Sequence, residues 1–250
     1  MNYIKICHKN SQIFKNKYYL FENKKIFIDE YIDNIEKNTH IVKSIDEAVI
    51  INRKEQFIIK NNIINCGSIT ALLRLRQDGF NENIIVLNFA NAMFPGGAYI
   101  LGGNAQEESL CRASLLFYSL KHGKYYYNYN RKHIMPIYSD NMIYSENIPI
   151  IRNDDGNLLE NITTASFITC PAVNKRFAKF FYSNSKINKI MELRIKKIVE
   201  FSAQKQPQAI IFGAYGCGVF GNNRDFVYST FEKYINEFIP NEIKVVFAVK

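Results

Sequence analysis

The sequence predicts a layered α/β fold over most of this 250-residue chain. Two observations point to it. Short apolar runs of strand length alternate with segments of helical spacing, as expected for strands and helices packed in layers. Glycine-rich turns follow two of the apolar runs, where open α/β sheets carry their ligand sites. With 47% hydrophobic residues and no run near the roughly 18 residues of a membrane span, the chain is expected to bury a full core.

The first 65 residues are rich in lysine and irregular in pattern, so residues 1–65 are predicted to be an N-terminal extension packed on a domain of residues 66–250. In that domain Ser68 is expected to cap a first helix. Apolar steps of three and four and helix signals predict the helices, which are Ser68–Gln77, Gln106–Lys121, Ile187–Phe201 and Asp225–Phe238. Apolar runs predict the strands, which are Ile84–Phe89, Met142–Ser145, Ile148–Arg152, Ala165–Cys170, Ala209–Phe212 and Lys244–Val249.

Charge and cysteine usage narrow the classes of function. A net charge of +9 would attract a polyanion, but the lysines are spread along the chain, which favours a compositional bias over a dedicated binding surface. The five cysteines are odd in number and never spaced as C-x-x-C, so they are interpreted as reduced thiols. The scattered histidines predict no metal site. Without a signal-peptide core, a cytoplasmic location is expected, with the nucleus as the alternative.

The most informative stretch is the turn Pro95-Gly96-Gly97-Ala98, which precedes Gln106-Glu107-Glu108 by seven residues. Glycines let backbone amides approach a phosphate or sugar closely because no Cβ intervenes. Taken singly, the glycines could form a plain turn, and the two acids could stabilise the first turn of a helix. Their combination directly after a buried strand predicts an enzyme that cuts a nucleotide-sugar bond.

The chemistry of a glycosidic bond explains the acid pair. Cleavage needs an acid to protonate the departing oxygen and a base to activate water. Adjacent glutamates, with Cα atoms only ~3.8 Å apart, cannot flank the bond as two separated carboxylates would. One glutamate is therefore expected to serve first as acid and then as base, while its neighbour orients sugar hydroxyls. The like charge of the neighbour is expected to raise the pKa of the glutamate that acts as the acid, as a general acid near neutral pH requires.

A second glycine-rich loop lies at Gly216–Gly221 and matches G-x-G-x-x-G after a strand. Too few residues follow Gly221 to build the rest of a dinucleotide-binding unit, so that interpretation fails. The loop is instead expected to present amides to a diphosphate, with Phe220 stacked on a base or ribose. Cys217 in this loop is expected to be a small buried residue, because no histidine lies near it in sequence to activate it as a nucleophile.

These motifs carry a family resemblance. The segments are Val86–Asn91, Pro95–Ala98, Gln106–Ser109, Pro171–Asn174 and Gly213–Asn222. Together they resemble the bacterial, or microbial-type, poly(ADP-ribose) glycohydrolases, whose signature is a triple-glycine turn, a short gap and Gln-Glu-Glu. The resemblance spans roughly residues 66–250. It implies a macrodomain-like fold of three layers, α/β/α, with a mixed central sheet.

The resemblance implies hydrolysis of the ribose–ribose O-glycosidic bond of poly(ADP-ribose), releasing ADP-ribose. Glu108 matches the family's catalytic acid and base, and Glu107 matches the residue that positions ribose hydroxyls. The implied substrate-binding residues are Asn91, Gly96, Gly97, Ala98, Gln106, Gly216, Cys217, Gly218, Val219, Phe220 and Gly221. No metal and no organic cofactor is expected. The partner is poly(ADP-ribose) or an ADP-ribosylated protein; the chain is expected to act as a monomer, without membrane or nucleic acid.

One position departs from the family pattern: Ala98 stands where the third glycine of the turn is expected. If this residue needs a positive φ, its Cβ costs about 1 kcal/mol or more; at a negative φ the exchange is nearly harmless. Alternatives stay open at this point. The chain could remove single ADP-ribose units from proteins or nucleic-acid ends, bind ADP-ribose without cleaving it, or bind nucleic acid through its positive charge.

Overall fold

A computed structural model describes residues 2–46, 48–132 and 136–250. The helices are α1 (Tyr3–Asn16), α2 (Asp29–Asn34), α3 (Ser68–Gln77), α4 (Gln106–Ala113), α5 (Leu116–Leu120), α6 (Lys124–Lys132), α7 (Lys175–Ala178), α8 (Asn184–Gln204) and α9 (Arg224–Phe238). The strands are β1 (Tyr18–Phe21), β2 (Lys24–Phe27), β3 (Thr39–Val42), β4 (Ile63–Ile64), β5 (Ile84–Phe89), β6 (Met142–Arg152), β7 (Leu158–Cys170), β8 (Ala209–Gly213) and β9 (Lys244–Ala248). In this described part, no helix combines the length and apolar content needed to cross a membrane.

Within these residues, a seven-stranded mixed sheet has the order β3-β6-β7-β5-β8-β9-β4. Strands β7, β5, β8, β9 and β4 run parallel to one another, whereas β6 is antiparallel to both of its neighbours. Strands β1 and β2 form a separate antiparallel hairpin. The predicted mixed central sheet is confirmed.

Helices cover both faces of this sheet, because the central strands are apolar on both sides. In β5, Ile84 and Val86 belong to one buried cluster, which includes apolar side chains of α3, α4 and α5. The alternate residues Ile85 and Leu87 belong to a second cluster with α8 and α9. Successive side chains of a strand point to opposite faces, so these are the two sides of the sheet. The predicted α/β/α layering is confirmed.

The first 65 residues are more regular than their sequence indicates. They supply α1, α2, the β1–β2 hairpin and both edge strands of the sheet, β3 and β4. Helix α1 escaped prediction because its buried face is narrow, consisting of Ile6, Asn10 and Ile13 among exposed polar residues. The Asn2 side chain caps it by accepting a hydrogen bond from the Lys5 amide.

Three boundary predictions need correction. The helix expected over Gln106–Lys121 is broken at Ser114, which is extended (φ −136°) and bridges to Ile150 of β6. Ser68 is the first helical residue of α3, and Gly67 occupies the cap position. The two short strands expected on either side of residues 146–147 form one strand, β6, with a register irregularity between Ser145 and Ile148.

Candidate active site

Three neighbouring parallel strands bring the candidate residues to one edge of the sheet. Phe89 at the end of β5 is paired with Cys170 at the end of β7. On the other side of β5, the ring of Phe89 lies so close to Gly213 of β8 that a Cβ there would meet it at 2.9 Å. The Tyr215 hydroxyl, just past β8, donates to the Cys170 carbonyl at 3.2 Å. The loops that follow β5, β7 and β8 therefore leave from the same edge.

The glycine turn after β5 folds directly onto the acid pair of α4. Gly96 and Gly97 both have left-handed backbone conformations, with φ of 67° and 56°. A Cβ on Gly97 would stand 2.5 Å from Glu108 Oε1 and 3.2 Å from Glu107 Oε2. Any side chain at this position would displace a carboxylate. Gly97 is required both by its conformation and by the close approach.

Ala98 fits the turn without strain. Its φ is −93°, in a region open to any residue. Its amide donates a hydrogen bond to Glu108 Oε1 at 2.9 Å. Of the two conformations left open by the sequence, the negative φ is therefore the one adopted, and the missing third glycine costs no backbone strain.

The two glutamates are nearly inaccessible to solvent, with Glu107 3% and Glu108 7% exposed. Glu107 Oε2 accepts from the Asn91 amide at 2.7 Å, and its Oε1 accepts from Asn88 Nδ2 at 3.3 Å. Glu108 uses Oε1 for the Ala98 amide, whereas its Oε2 is buried with no hydrogen-bond partner. Neither glutamate forms an ion pair with any residue that the structure describes.

Burial changes the ionisation of this pair. Desolvation raises the pKa of Glu107 to about 8, and the charge of Glu108 adds to the rise; hydrogen bonds from Asn91 and Asn88 oppose it. The sequence predicted a raised pKa for the glutamate that acts as the acid, whereas the rise falls on its neighbour Glu107, because Glu107 is the more deeply buried of the two. Near neutral pH Glu107 holds its proton most of the time, so the buried pair carries at most about one negative charge.

Gln106 and Asn91 direct their side chains at the protein backbone. Gln106 Oε1 accepts from the Phe89 amide at 2.9 Å, and its Nε2 donates to the Leu87 carbonyl at 2.8 Å. Asn91 Oδ1 accepts from the Met93 amide at 2.7 Å and from the next amide along the chain. These contacts brace the end of β5 and the loop that follows it. Direct contact of either side chain with a ligand stays a prediction.

The loop after β8 is shaped by its own backbone and by Asn222. Gly216 and Gly221 each have a φ of 70°. Asn222 Nδ2 donates to the Val173 carbonyl at 2.8 Å and to the Gly216 carbonyl at 3.0 Å, which ties this loop to the one after β7. Gly218 has open space around it, since a Cβ there would meet no atom within 4 Å.

The remaining side chains of this loop differ in exposure. Val219 is 75% exposed. Phe220 is half-buried, with its ring centroid 6.3 Å from that of Tyr138. Burial raises the pKa of the Cys217 thiol to about 11. A thiol that stays protonated is a poor nucleophile, which agrees with the exclusion of Cys217 from the chemistry.

A buried polar network behind the first turn was missed by sequence reasoning. Asn10 of α1 is fully buried; its Nδ2 donates to the Arg112 carbonyl at 2.9 Å and to the Tyr99 hydroxyl at 3.3 Å. Its Oδ1 accepts from Arg152 Nε at 2.9 Å. The Arg112 guanidinium in turn donates to the Gly103 carbonyl. The available signal was an asparagine at the centre of an otherwise apolar helix face.

A surface depression of about 600 Å³ lies elsewhere, lined by residues that include Arg53, Lys54, Lys233 and Asn236. It adjoins the C-terminal end of α9, which leads into the first residue of β9. This is the end of the sheet opposite to the one at which β5, β7 and β8 finish. It contains none of the predicted site residues. Across the described ranges, no group of three or more His, Cys, Asp or Glu side chains could hold a metal ion.

The comparisons with known proteins agree with this geometry. The family model "Microbial-type PARG, catalytic domain" matches residues 8–153, more than half of the chain. The chain is similar to the crystal structure of poly(ADP-ribose) glycohydrolase from Thermomonospora curvata bound to the inhibitor ADP-HPD (26% identity, 99% of this chain and 92% of that one, TM-score 0.86). It is also similar to the Deinococcus radiodurans enzyme in complex with ADP-ribose (32% identity, 75% and 76% covered, TM-score 0.67). No curated protein matches significantly.

Proposed function

The chain belongs to the family of microbial-type poly(ADP-ribose) glycohydrolases, and we propose that Glu108 is the general acid and base with which it works. The activity is hydrolysis of the ribose–ribose O-glycosidic bonds of poly(ADP-ribose), which releases ADP-ribose. The observation that carries the role of Glu108 is its Oε2, an unpartnered carboxylate oxygen buried beside the glycine turn.

The geometry supports a cycle on one carboxyl group. Glu108 Oε2 gives its proton to the ribose oxygen that departs as the C–O glycosidic bond breaks. The resulting carboxylate then takes a proton from water, and the hydroxide oxygen bonds to the anomeric carbon. Glu108 is thereby reprotonated, and one water is consumed for each bond cleaved. The Ala98 amide on Oε1 stabilises the carboxylate between the two steps.

Glu107 supports this cycle as the positioning partner. Because it is mostly protonated near neutral pH, it can donate a hydrogen bond to a ribose hydroxyl and adds little repulsion when Glu108 becomes charged. The glycine turn and the loop after β8 supply backbone amides for the diphosphate, and Phe220 supplies a ring for the adenosine half. This assignment of the site residues is the proposal that the experiments below test.

The decisive experiment is Glu108→Gln, which keeps the shape of the side chain and removes its proton chemistry. We expect hydrolysis of poly(ADP-ribose) to fall by roughly 10²–10⁴-fold, while calorimetry shows ADP-ribose affinity within a few-fold of wild type. The matched control is Glu30→Gln on the exposed face of α2, which should change neither. An active Glu108→Gln enzyme would falsify the assignment. Mono-ADP-ribosylated protein, run in parallel, distinguishes polymer cleavage from removal of single units.

We further propose that the chain acts as a monomer in a reducing compartment, the cytoplasm or the nucleus, without nucleic acid. The sheet supports the first point, since its edge strands β3 and β4 have only four and two residues and offer little for edge pairing. All five cysteines are free thiols, as expected under reducing conditions. Light scattering of the purified protein tests the first point, and a two-chain mass contradicts it.

A further inference from the structure

Three phenylalanines within five residues stand in solvent beside the loop that follows β8. Phe177, Phe180 and Phe181 are 61%, 72% and 64% exposed. Single exposed apolar side chains are ordinary on a protein surface, but adjacent aromatic ones mark an interaction surface. Three cationic residues lie next to them in the sequence. We call this set the aromatic-basic patch: Lys175, Arg176, Phe177, Lys179, Phe180 and Phe181.

The patch is held rigidly in this orientation. It consists of α7 and the turns after it, closed by hydrogen bonds from the Phe181 and Tyr182 amides to the Ala178 carbonyl at 3.0 and 2.9 Å. Ala178 is fully buried and Tyr182 is half-buried, so these two residues, one helical turn apart, face the protein. The phenylalanines between and beside them consequently face outward.

The cations of the patch are available to a ligand. None of Lys175, Arg176 and Lys179 forms an ion pair with a described residue, and Lys179 Nζ lies 5.4 Å from the centre of the Phe180 ring. The sequence from Pro171 to Met191 contains no Asp or Glu, so this segment carries only positive charges. A ligand suited to this surface carries flat rings and negative charges at short intervals.

The patch is continuous with the candidate active site. The Arg176 amide donates to the Phe220 carbonyl at 3.1 Å, and the Arg176 side chain packs against Gly221, where a Cβ would meet its Cγ at 3.0 Å. Patch and loop thus share the edge of the sheet at which β5, β7 and β8 end. A polymer with one unit at the candidate active site has this surface within reach of its next units.

We propose that the aromatic-basic patch binds ADP-ribose units of the polymer beyond the one that lies in the cleft; this rests on the proposed function. Each such unit carries an adenine, which stacks on an exposed phenyl ring, and a diphosphate, which pairs with lysine or arginine. The patch therefore raises affinity for long chains and leaves affinity for free ADP-ribose unchanged.

The test is the triple variant Phe177→Ser/Phe180→Ser/Phe181→Ser, assayed on long poly(ADP-ribose) and titrated with free ADP-ribose. We expect the KM for long polymer to rise about tenfold, with kcat and the ADP-ribose Kd within about twofold of wild type. The control is Phe27→Ser, an equally exposed phenylalanine (62%) that follows two lysines on β2. It should leave all three constants unchanged.

The other outcomes are distinct. An unchanged polymer KM overturns the proposal, as does a loss of ADP-ribose binding with polymer binding, which would place the patch inside the cleft. Tighter binding of poly(A) than of poly(ADP-ribose), abolished in the triple variant, would assign the patch to nucleic acid. Should the triple variant fail to fold, Lys179→Glu replaces it, with the same expected KM rise. A wild-type enzyme that cleaves no polymer refutes the proposed function instead.

Discussion

The two glycine loops of the site are held in place in opposite ways. The turn after β5 is held by side chains from other elements. Glu108 accepts a hydrogen bond from the Ala98 amide, and the hydroxyl of Tyr99, which is 1% exposed, accepts one from Asn10. The loop after β8 relies mainly on its own backbone and on Asn222, and its tip is open to solvent, with Val219 75% exposed. One loop is built into the core, and the other lies on its surface.

This difference matches the roles that we propose for the two loops. Proton transfer to a glycosidic oxygen requires a carboxyl group held to within a fraction of an ångström, so a turn that donates a hydrogen bond to the Glu108 carboxylate is expected to be rigid. A diphosphate needs only amides that point in roughly the right direction. The contrast between a fixed reaction centre and an adaptable binding loop can be tested by perturbing each in turn.

The largest effect is expected from Gly97→Ala. The added methyl needs a positive φ, at a cost of about 1–2 kcal/mol, and it would stand 2.5 Å from Glu108 Oε1. Because the carboxylate must move, polymer hydrolysis should fall on the order of 10²-fold. Steady-state kinetics and chemical denaturation measure the two effects.

The matched control lies in the other loop. Gly218→Ala adds the same methyl where no atom lies within 4 Å, so the free energy of unfolding should stay within about 0.5 kcal/mol of wild type. A drop in hydrolysis as large as that of Gly97→Ala would show that the second loop is as tightly constrained as the first. The contrast between the loops would then fail.

An intermediate effect is expected from Asn10→Ala, which removes the support behind the first turn. The change leaves Arg152 Nε and the Arg112 carbonyl without their partner, and the free energy of unfolding should fall by roughly 2–3 kcal/mol. Hydrogen exchange should become faster in residues 96–103 and stay the same in residues 216–222. Asn16→Ala, on the exposed C-terminal end of α1, is the control. Equal acceleration in both loops would contradict a local role.

An effect of a different kind, a change in how stability depends on pH, is expected from Glu107→Gln. The folded-state pKa of Glu107, about 8, lies above its unfolded value near 4.3, so the folded state holds the proton more tightly. Stability from this group is complete below pH 4.3 and is lost as the pH rises to about 8. The variant should therefore gain on wild type by at most about 1.4 kcal/mol per pH unit between pH 5 and 8 in denaturant titrations. A constant difference across this range would refute the burial argument.

Sequence reasoning succeeded where a pattern has one physical cause. A six-residue run that is apolar except for Asn88 predicted β5 at Ile84–Phe89, as the structure has it. It failed where a tertiary contact determines the local backbone conformation. Ser114 leaves the helical path to bridge Ile150, although the apolar spacing from Leu110 to Leu120 continues through it. The division of the chain at residue 65 stays a prediction.

For the site, the glycines and the acid pair could be selected from the sequence, but their hydrogen bonds and backbone conformation could not be predicted. Nothing in the order of residues tells that Ala98 has a negative φ, because that depends on how the turn meets α4. Nor does it reveal that the Gln106 side chain accepts a hydrogen bond from the last residue of β5, or that Asn10 donates to the Tyr99 hydroxyl. Such contacts join residues up to 142 positions apart, as between Asn10 and Arg152.

The guanidinium carbon of Arg112 lies 4.0 Å from the centre of the Tyr3 ring. The same guanidinium donates to the carbonyl of Gly103, which follows the glycine turn. Helix α1 therefore packs behind the proposed reaction centre, through Tyr3 and Asn10. A fragment that begins after α1 lacks both Tyr3 and Asn10, and we expect its turn to hold the Glu108 carboxylate less firmly.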